Sequence, residues 1–161
     1  MKIALIQLNP VIGDFENNCA KIILSAHQAA DLGCDLAVFP ELAVSGYPPL
    51  DLLERASFLE DHEAAVNAMI LGLPPISVMF GCFERGLEAT GKPLFNSVFV
   101  ARNKEIVHKT RKPLWPEYDV FDENRYFEPG PPTTLLSCGG LTIGVTVCED
   151  IWHYAVNDYR S

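Results

Sequence analysis

Two short apolar runs, each stopped by a proline, bracket a segment with helical periodicity, and few folds accommodate that order. Lys2-Ile-Ala-Leu-Ile-Gln-Leu-Asn9 ends at Pro10, and Asp35-Leu-Ala-Val-Phe39 ends at Pro40. Both are too short for a core helix and read as buried strands. Between them Ile22, Ile23, Ala26, Ala29 and Ala30 recur with a 3.6-residue period from Asn18 to Leu32. Asp14 is placed to N-cap this segment and Gly33 to end it. Strand, helix, strand favours a parallel pair joined by a right-handed crossover.

The later chain changes character. Residues 43–50 form a Gly/Pro loop, and Asp51 opens a helical stretch towards Leu71, closed by Gly72 and Pro74-Pro75. Ile76 to Phe83, Asn96 to Ala101 and Glu105 to His108 read as strands, with Arg102-Asn103-Lys104 as a hairpin turn. Residues 113–132 mix proline, aromatic and acidic residues without periodicity, and a loop of that length inside a domain is usually functional. Leu135-Leu136 and Leu141 to Val147 are the last strands, turned by Gly139-Gly140. Early strand-helix alternation followed by hairpins predicts an α/β sheet of mixed pairing with helices on at least one face.

Composition excludes several roles. Twenty-one acidic against twelve basic residues give a net charge of −9, the wrong sign for neutralising nucleic-acid phosphates. No apolar run approaches the roughly 20 residues of a membrane span, and residues 1–10 lack the pattern of a secretory leader. Five cysteines without C-x-x-C spacing suit a reducing, cytoplasmic compartment. The four histidines form no metal-binding pattern, so no metal is expected.

Three chemically capable residues share a position relative to strands. Glu41 follows the strand ending at Phe39, Lys112 lies four residues beyond His108, and Cys148 ends the run Thr142 to Val147. Sites in α/β sheets collect beyond the carboxyl ends of strands, so parallel neighbours would bring all three to one edge. A thiol becomes nucleophilic beside a group that takes its proton, a carboxylate can return that proton to an amine, and an ammonium can stabilise an oxyanion. A plainer reading stays open: Cys148 as a packed thiol, Glu41 as a helix cap, Lys112 as a surface lysine. Cys19, Cys34, Cys82 and Cys138 are assigned to packing, and His27, His62, His108 and His153 to ordinary surface or edge positions.

Three blocks then carry a resemblance. The first is Phe39-Pro40-Glu41-Leu42 with Ser45-Gly46-Tyr47-Pro48-Pro49 and Asp51-Leu52-Leu53. The second runs from Lys112-Pro113-Leu114-Trp115-Pro116 through Tyr118 and Phe121 to Glu123-Asn124-Arg125-Tyr126-Phe127. The third is Val147-Cys148-Glu149-Asp150-Ile151-Trp152. Together they resemble the carbon–nitrogen hydrolase, or nitrilase, superfamily, and within it the glutaminase domains of glutamine-dependent NAD+ synthetases. The resemblance covers the whole chain, with the blocks in family order.

The resemblance implies a nitrilase-like αββα sandwich, incomplete in this chain, with residues 1–161 as the amino-terminal part of the glutaminase domain and no synthetase domain. It implies Cys148 as nucleophile, Glu41 as general base, Lys112 as oxyanion stabiliser, Glu123 as a supporting carboxylate, and Tyr118, Phe121 and Glu149 along the glutamine pocket. The implied reaction is glutamine amide hydrolysis through a cysteine thioester, the ammonia passing to a synthetase domain that aminates adenylated deamido-NAD+. ATP and Mg2+ belong to that absent domain, and no cofactor is expected here. Glutamine, the synthetase domain and further copies of the chain are the expected partners. The alternatives are a stand-alone amidase or nitrilase on another small amide, and an inactive fragment. Glu117 departs from the family pattern at the pocket mouth. An incomplete sandwich would also expose apolar sheet surface.

Overall fold

The computed structural model describes residues 1–86, 92–116, 121–132 and 134–151. A five-stranded sheet runs in the order β1 (Ile3–Leu5), β2 (Leu36–Val38), β3 (Ser77–Arg85), β4 (Leu94–Arg102) and β5 (Glu105–Arg111). β1, β2 and β3 are parallel, while β4 is antiparallel to both β3 and β5. The carboxyl ends of β2, β3 and β5 therefore share one edge with the start of β4. That edge carries the site.

Helix α1 (Phe15–Asp31) starts where expected, because the Asp14 carboxylate accepts the Asn17 N–H at 3.3 Å. Gly33, at φ +71°, supplies the left-handed residue that ends it. The second helical stretch is corrected: a 3-10 turn at Leu50–Glu54 and helix α2 (Ala56–Leu71) are separated by Arg55 in extended conformation. Asn103 and Lys104 both take positive φ, as a two-residue hairpin between β4 and β5 requires. Gly139 and Gly140 do the same between β6 (Leu135–Cys138) and β7 (Leu141–Gly144). β7 stops at Gly144, short of the expected Val147, although Val145 and Val147 are buried.

Side-chain alternation separates two layers. Ala37, Val78, Phe80, Cys82, Phe99 and Ala101 face α1 and α2, packing with Ile22, Ala26, Val66 and Met69. The opposite parity, Leu36, Met79, Val98 and Val100, faces the β6–β7 ribbon through Leu136, Cys138, Val145 and Val147. The first strand is not buried as its composition predicts. It is an edge strand whose Ala4 packs towards the helices while Ile3 and Leu5 remain 44% and 74% exposed. Leu135 and Leu141 are exposed as well. A short helix, α3 (Glu123–Tyr126), interrupts the long loop after β5.

Candidate active site

Lys112 is fixed by its main chain before its side chain does anything. Its N–H donates to Asn96 O at 2.8 Å, and its carbonyl accepts from Gly130 N at 2.9 Å. Gly130 has no substitute at this approach, since a Cβ there would lie 2.4 Å from Arg111 Cβ and 2.5 Å from Arg111 O. Upstream, the half-buried Arg111 and the exposed Lys109 both donate to Glu84 at 2.8 Å, which ties β5 to β3 across β4. The Lys112 side chain is wholly buried, contrary to the surface reading.

That buried ammonium meets two carboxylates. Nζ donates to Glu41 Oε1 at 2.8 Å and to Glu123 Oε1 and Oε2 at 2.9 and 3.0 Å. Burial alone would lower the lysine's proton affinity, but Glu41 and Glu123 outweigh it and hold Lys112 above the ordinary lysine range. Burial raises the Glu41 carboxyl above its usual range, with Glu123 adding to the effect and Lys112 and Asn96 opposing it. Glu123 opens α3 and also accepts from Tyr47 OH at 3.0 Å. Glu41 caps no helix: it lies in a turn, and its neighbour Leu42 is held at φ +45°, a strained conformation for a leucine.

Asn96 completes the cluster. Its Nδ2 donates to Glu41 Oε1 at 2.7 Å and to Glu123 Oε2 at 3.1 Å. No spacing argument identifies it, because it stands inside a strand of mainly apolar residues beside Ser97.

Cys148 opens a 3-10 turn (Cys148–Ile151) at φ +45°, a left-handed conformation uncommon for a residue with a Cβ. It is exposed, whereas Cys19, Cys34, Cys82 and Cys138 are all buried. Burial of part of the group and then the Glu41 charge raise the thiol's proton affinity, while Lys112 opposes them. Cys148 thus lies within electrostatic reach of Glu41, Lys112 and Glu123. The route differs from the expected one: β7 belongs to a separate ribbon, and β2 and β5 are separated by β3 and β4. Asp150 makes the connection, accepting Val147 N at 2.8 Å and Leu114 N at 3.3 Å. It ties the Cys148 turn to the segment leaving Lys112, and burial pushes its carboxyl up to about 6.

Of the expected pocket residues, Phe121 lies 6.3 Å from the Tyr47 ring, centroid to centroid, and Glu149 is buried beside Cys148. Tyr118, Glu117 and His153 lie outside the described residues. Among the described residues no group of three His, Cys, Asp or Glu side chains could hold a metal ion, and no helix is long and apolar enough to cross a membrane.

A thiol, two carboxylates and a buried ammonium gather beyond the sheet edge, and comparison with known proteins gives the family in which they stand. The chain belongs to the carbon–nitrogen hydrolase family, whose model matches residues 2–156. Among its relatives are proteins named glutamine-dependent NAD+ synthetases. The one from Thermotoga maritima is 40% identical over 158 residues, covering 95% of this chain and 26% of that protein. The one from Synechocystis is 41% identical over 155 residues, covering 94% and 28%. The chain therefore spans about a quarter of the length of these relatives. The solved glutamine-dependent NAD+ synthetase of Acinetobacter baumannii superposes with a TM-score of 0.85 at 36% identity, over 93% of this chain and 28% of that one. An amidase of the nitrilase superfamily from Nesterenkonia shares the fold at 22% identity, with a TM-score of 0.79 over 95% of this chain and 57% of that one.

Proposed function

We propose that this chain carries the glutamine-hydrolysing site of a glutamine-dependent NAD+ synthetase, with residues 1–161 as the amino-terminal part of the glutaminase domain. The observation that carries the reading is the buried Lys112 ammonium held between Glu41 and Glu123, with the exposed Cys148 thiol in its field.

The chemistry follows from the charges. The Cys148 thiol, raised above its ordinary range, is neutral at rest and needs a base at the moment of attack. Both described hydrogen bonds to Glu41 fall on Oε1, leaving Oε2 to take the thiol proton. Sulfur attacks the amide carbon of glutamine, the carbonyl π pair moves to oxygen, and a Lys112 N–H, turned from its two-oxygen contact with Glu123, donates to that oxyanion. Collapse breaks the C–N bond as Glu41 returns its proton to nitrogen, so ammonia leaves and a thioester remains. Water, deprotonated by Glu41, then attacks the thioester; the C–S bond breaks, and glutamate and the thiol are restored.

Glu123 and Tyr47 keep the ammonium in place, and Tyr118, Phe121 and Glu149 are assigned to the glutamine pocket. No cofactor enters these steps. The ammonia is assigned to a synthetase domain using ATP and Mg2+, in a homo-oligomeric cytoplasmic enzyme. The relatives' names support glutamine over another amide. The test is to incubate the protein with glutamine and follow glutamate and ammonia. Release of both, abolished in Cys148→Ala, is expected; turnover that survives this substitution overturns the reading.

A further inference from the structure

We propose that Asn96 is a positioning residue for the base: its amide nitrogen spans the two carboxylates and commits Glu41 Oε1, so that Oε2 is the oxygen that meets the Cys148 proton. This inference rests on the assignment of Glu41 as the base.

Three observations carry it. The amide is 1% exposed and places one nitrogen 2.7 Å from Glu41 Oε1 and 3.1 Å from Glu123 Oε2. An amide NH2 has two protons, one for each carboxylate, so this geometry uses its whole donor capacity. Turning the amide over would set its carbonyl oxygen against both carboxylates, so the charges themselves fix its orientation. Second, the Asn96 carbonyl oxygen Oδ1 is buried without a hydrogen-bond partner among the described residues. An orphaned buried acceptor costs stability, and an apolar side chain of the same size would avoid that cost. Asn96 therefore stands there for its donors. Third, the Asn96 carbonyl of the main chain receives the Lys112 N–H, so one residue reaches Glu41, Glu123 and Lys112.

The hydrogen bond also has a direction in charge. It favours ionised Glu41, so its loss moves that carboxyl further up.

The test compares Asn96→Leu, which deletes donors and orphan acceptor together, with Asn96→Ala, which deletes both without adding bulk or charge. Three readouts are taken on the full protein: Tm, kcat and KM for glutamine, and the pH dependence of Cys148 alkylation by iodoacetamide. For Asn96→Leu we expect a modestly lower Tm, because losing the orphan acceptor offsets only part of the lost donation to Glu41 and Glu123, and a kcat lower by about ten- to a hundredfold with KM little altered. The acid limb of alkylation should move to higher pH by about half a unit or more. If the leucine variant does not fold, the alanine variant supplies the same comparison of kcat and alkylation. A fall in kcat no larger than the loss of folded protein, or an alkylation profile that overlays the unaltered one, overturns the proposal. No glutamate from the unaltered protein would instead overturn the functional reading, and the alkylation profile alone would then decide the role of Asn96.

Discussion

Gly81 lies directly beneath Glu41: a Cβ on residue 81 would stand 2.6 Å from Glu41 Cα, 2.5 Å from Pro40 O and 2.4 Å from Leu42 N. The Gly81 N–H also donates to Pro40 O at 3.1 Å, so the base-bearing turn rests on the bare backbone of β3. Gly81→Ala must push that turn off the sheet. We expect a destabilisation of about 1–3 kcal/mol and a loss of glutamine hydrolysis of about a hundredfold, as for a displacement on the order of 1 Å. Urea denaturation and steady-state kinetics check the two numbers separately. Full activity in this variant would show that the turn tolerates the shift.

Lys112 neutralises two carboxylates that would otherwise face each other in the interior. Lys112→Met removes the cation and keeps the volume, so one carboxyl must take up a proton or repel the other. The expected cost is about 3–5 kcal/mol at neutral pH. The sign is set by the raised carboxyl: the folded variant binds the extra proton more tightly than the unfolded chain does, so its stability falls as pH rises. Denaturation at pH 5 and pH 8 should show the variant relatively less impaired at the lower value. Activity should fall at least about a hundredfold with the oxyanion donor gone.

His62 tests burial away from the site. Its ring is 1% exposed, stacks on Phe83 at 3.7 Å and leaves both nitrogens without a described hydrogen bond. Burial pushes its proton affinity down to about 3, from an ordinary value of 6.5. The unfolded chain binds the proton first, so the stabilisation is fully present above pH 6.5 and is lost towards pH 3 at about 1.4 kcal/mol per pH unit. His62→Phe keeps the stack and abolishes this slope. Between pH 7.5 and pH 5 the unaltered protein should lose about 2 kcal/mol more than the variant. Equal losses would show that His62 is solvated.

Asp150 tests the connection between the nucleophile turn and the lysine segment. Asp150→Ala orphans the N–H groups of Val147 and Leu114, at about 1–3 kcal/mol each. Activity should fall although residue 150 is assigned no step in the reaction. Asp150→Asn keeps one acceptor and should recover part of both losses. Denaturation curves and rates of glutamate release on the two variants make the check.

The order of strands and helices was legible because periodicity and punctuation coincide. Asp14, Gly33 and Pro40 each sit within two residues of the end of an element, whereas β1 stops at Leu5, five residues before Pro10. Arg55 was missed, since nothing in its side chain marks a break and the decision falls to the backbone of the preceding 3-10 turn. The burial of Ile3 and Leu5 was misjudged because composition reports what a strand can bury and not whether it lies at an edge. In the site, Glu41, Lys112 and Glu123 were found from strand ends and the family resemblance, and the structure joins them through hydrogen bonds. Asn96 and Asp150 escaped for a physical reason. Their value lies in bridging segments distant in sequence, and no local pattern records such a bridge.

Four of the five thiols are shut inside the packing and one stands open at the turn. A single maleimide dye added to the native protein should therefore attach at one address, without any cysteine being engineered away. Because the label consumes the nucleophile, slower labelling in the presence of glutamine would then report occupancy of the reaction centre.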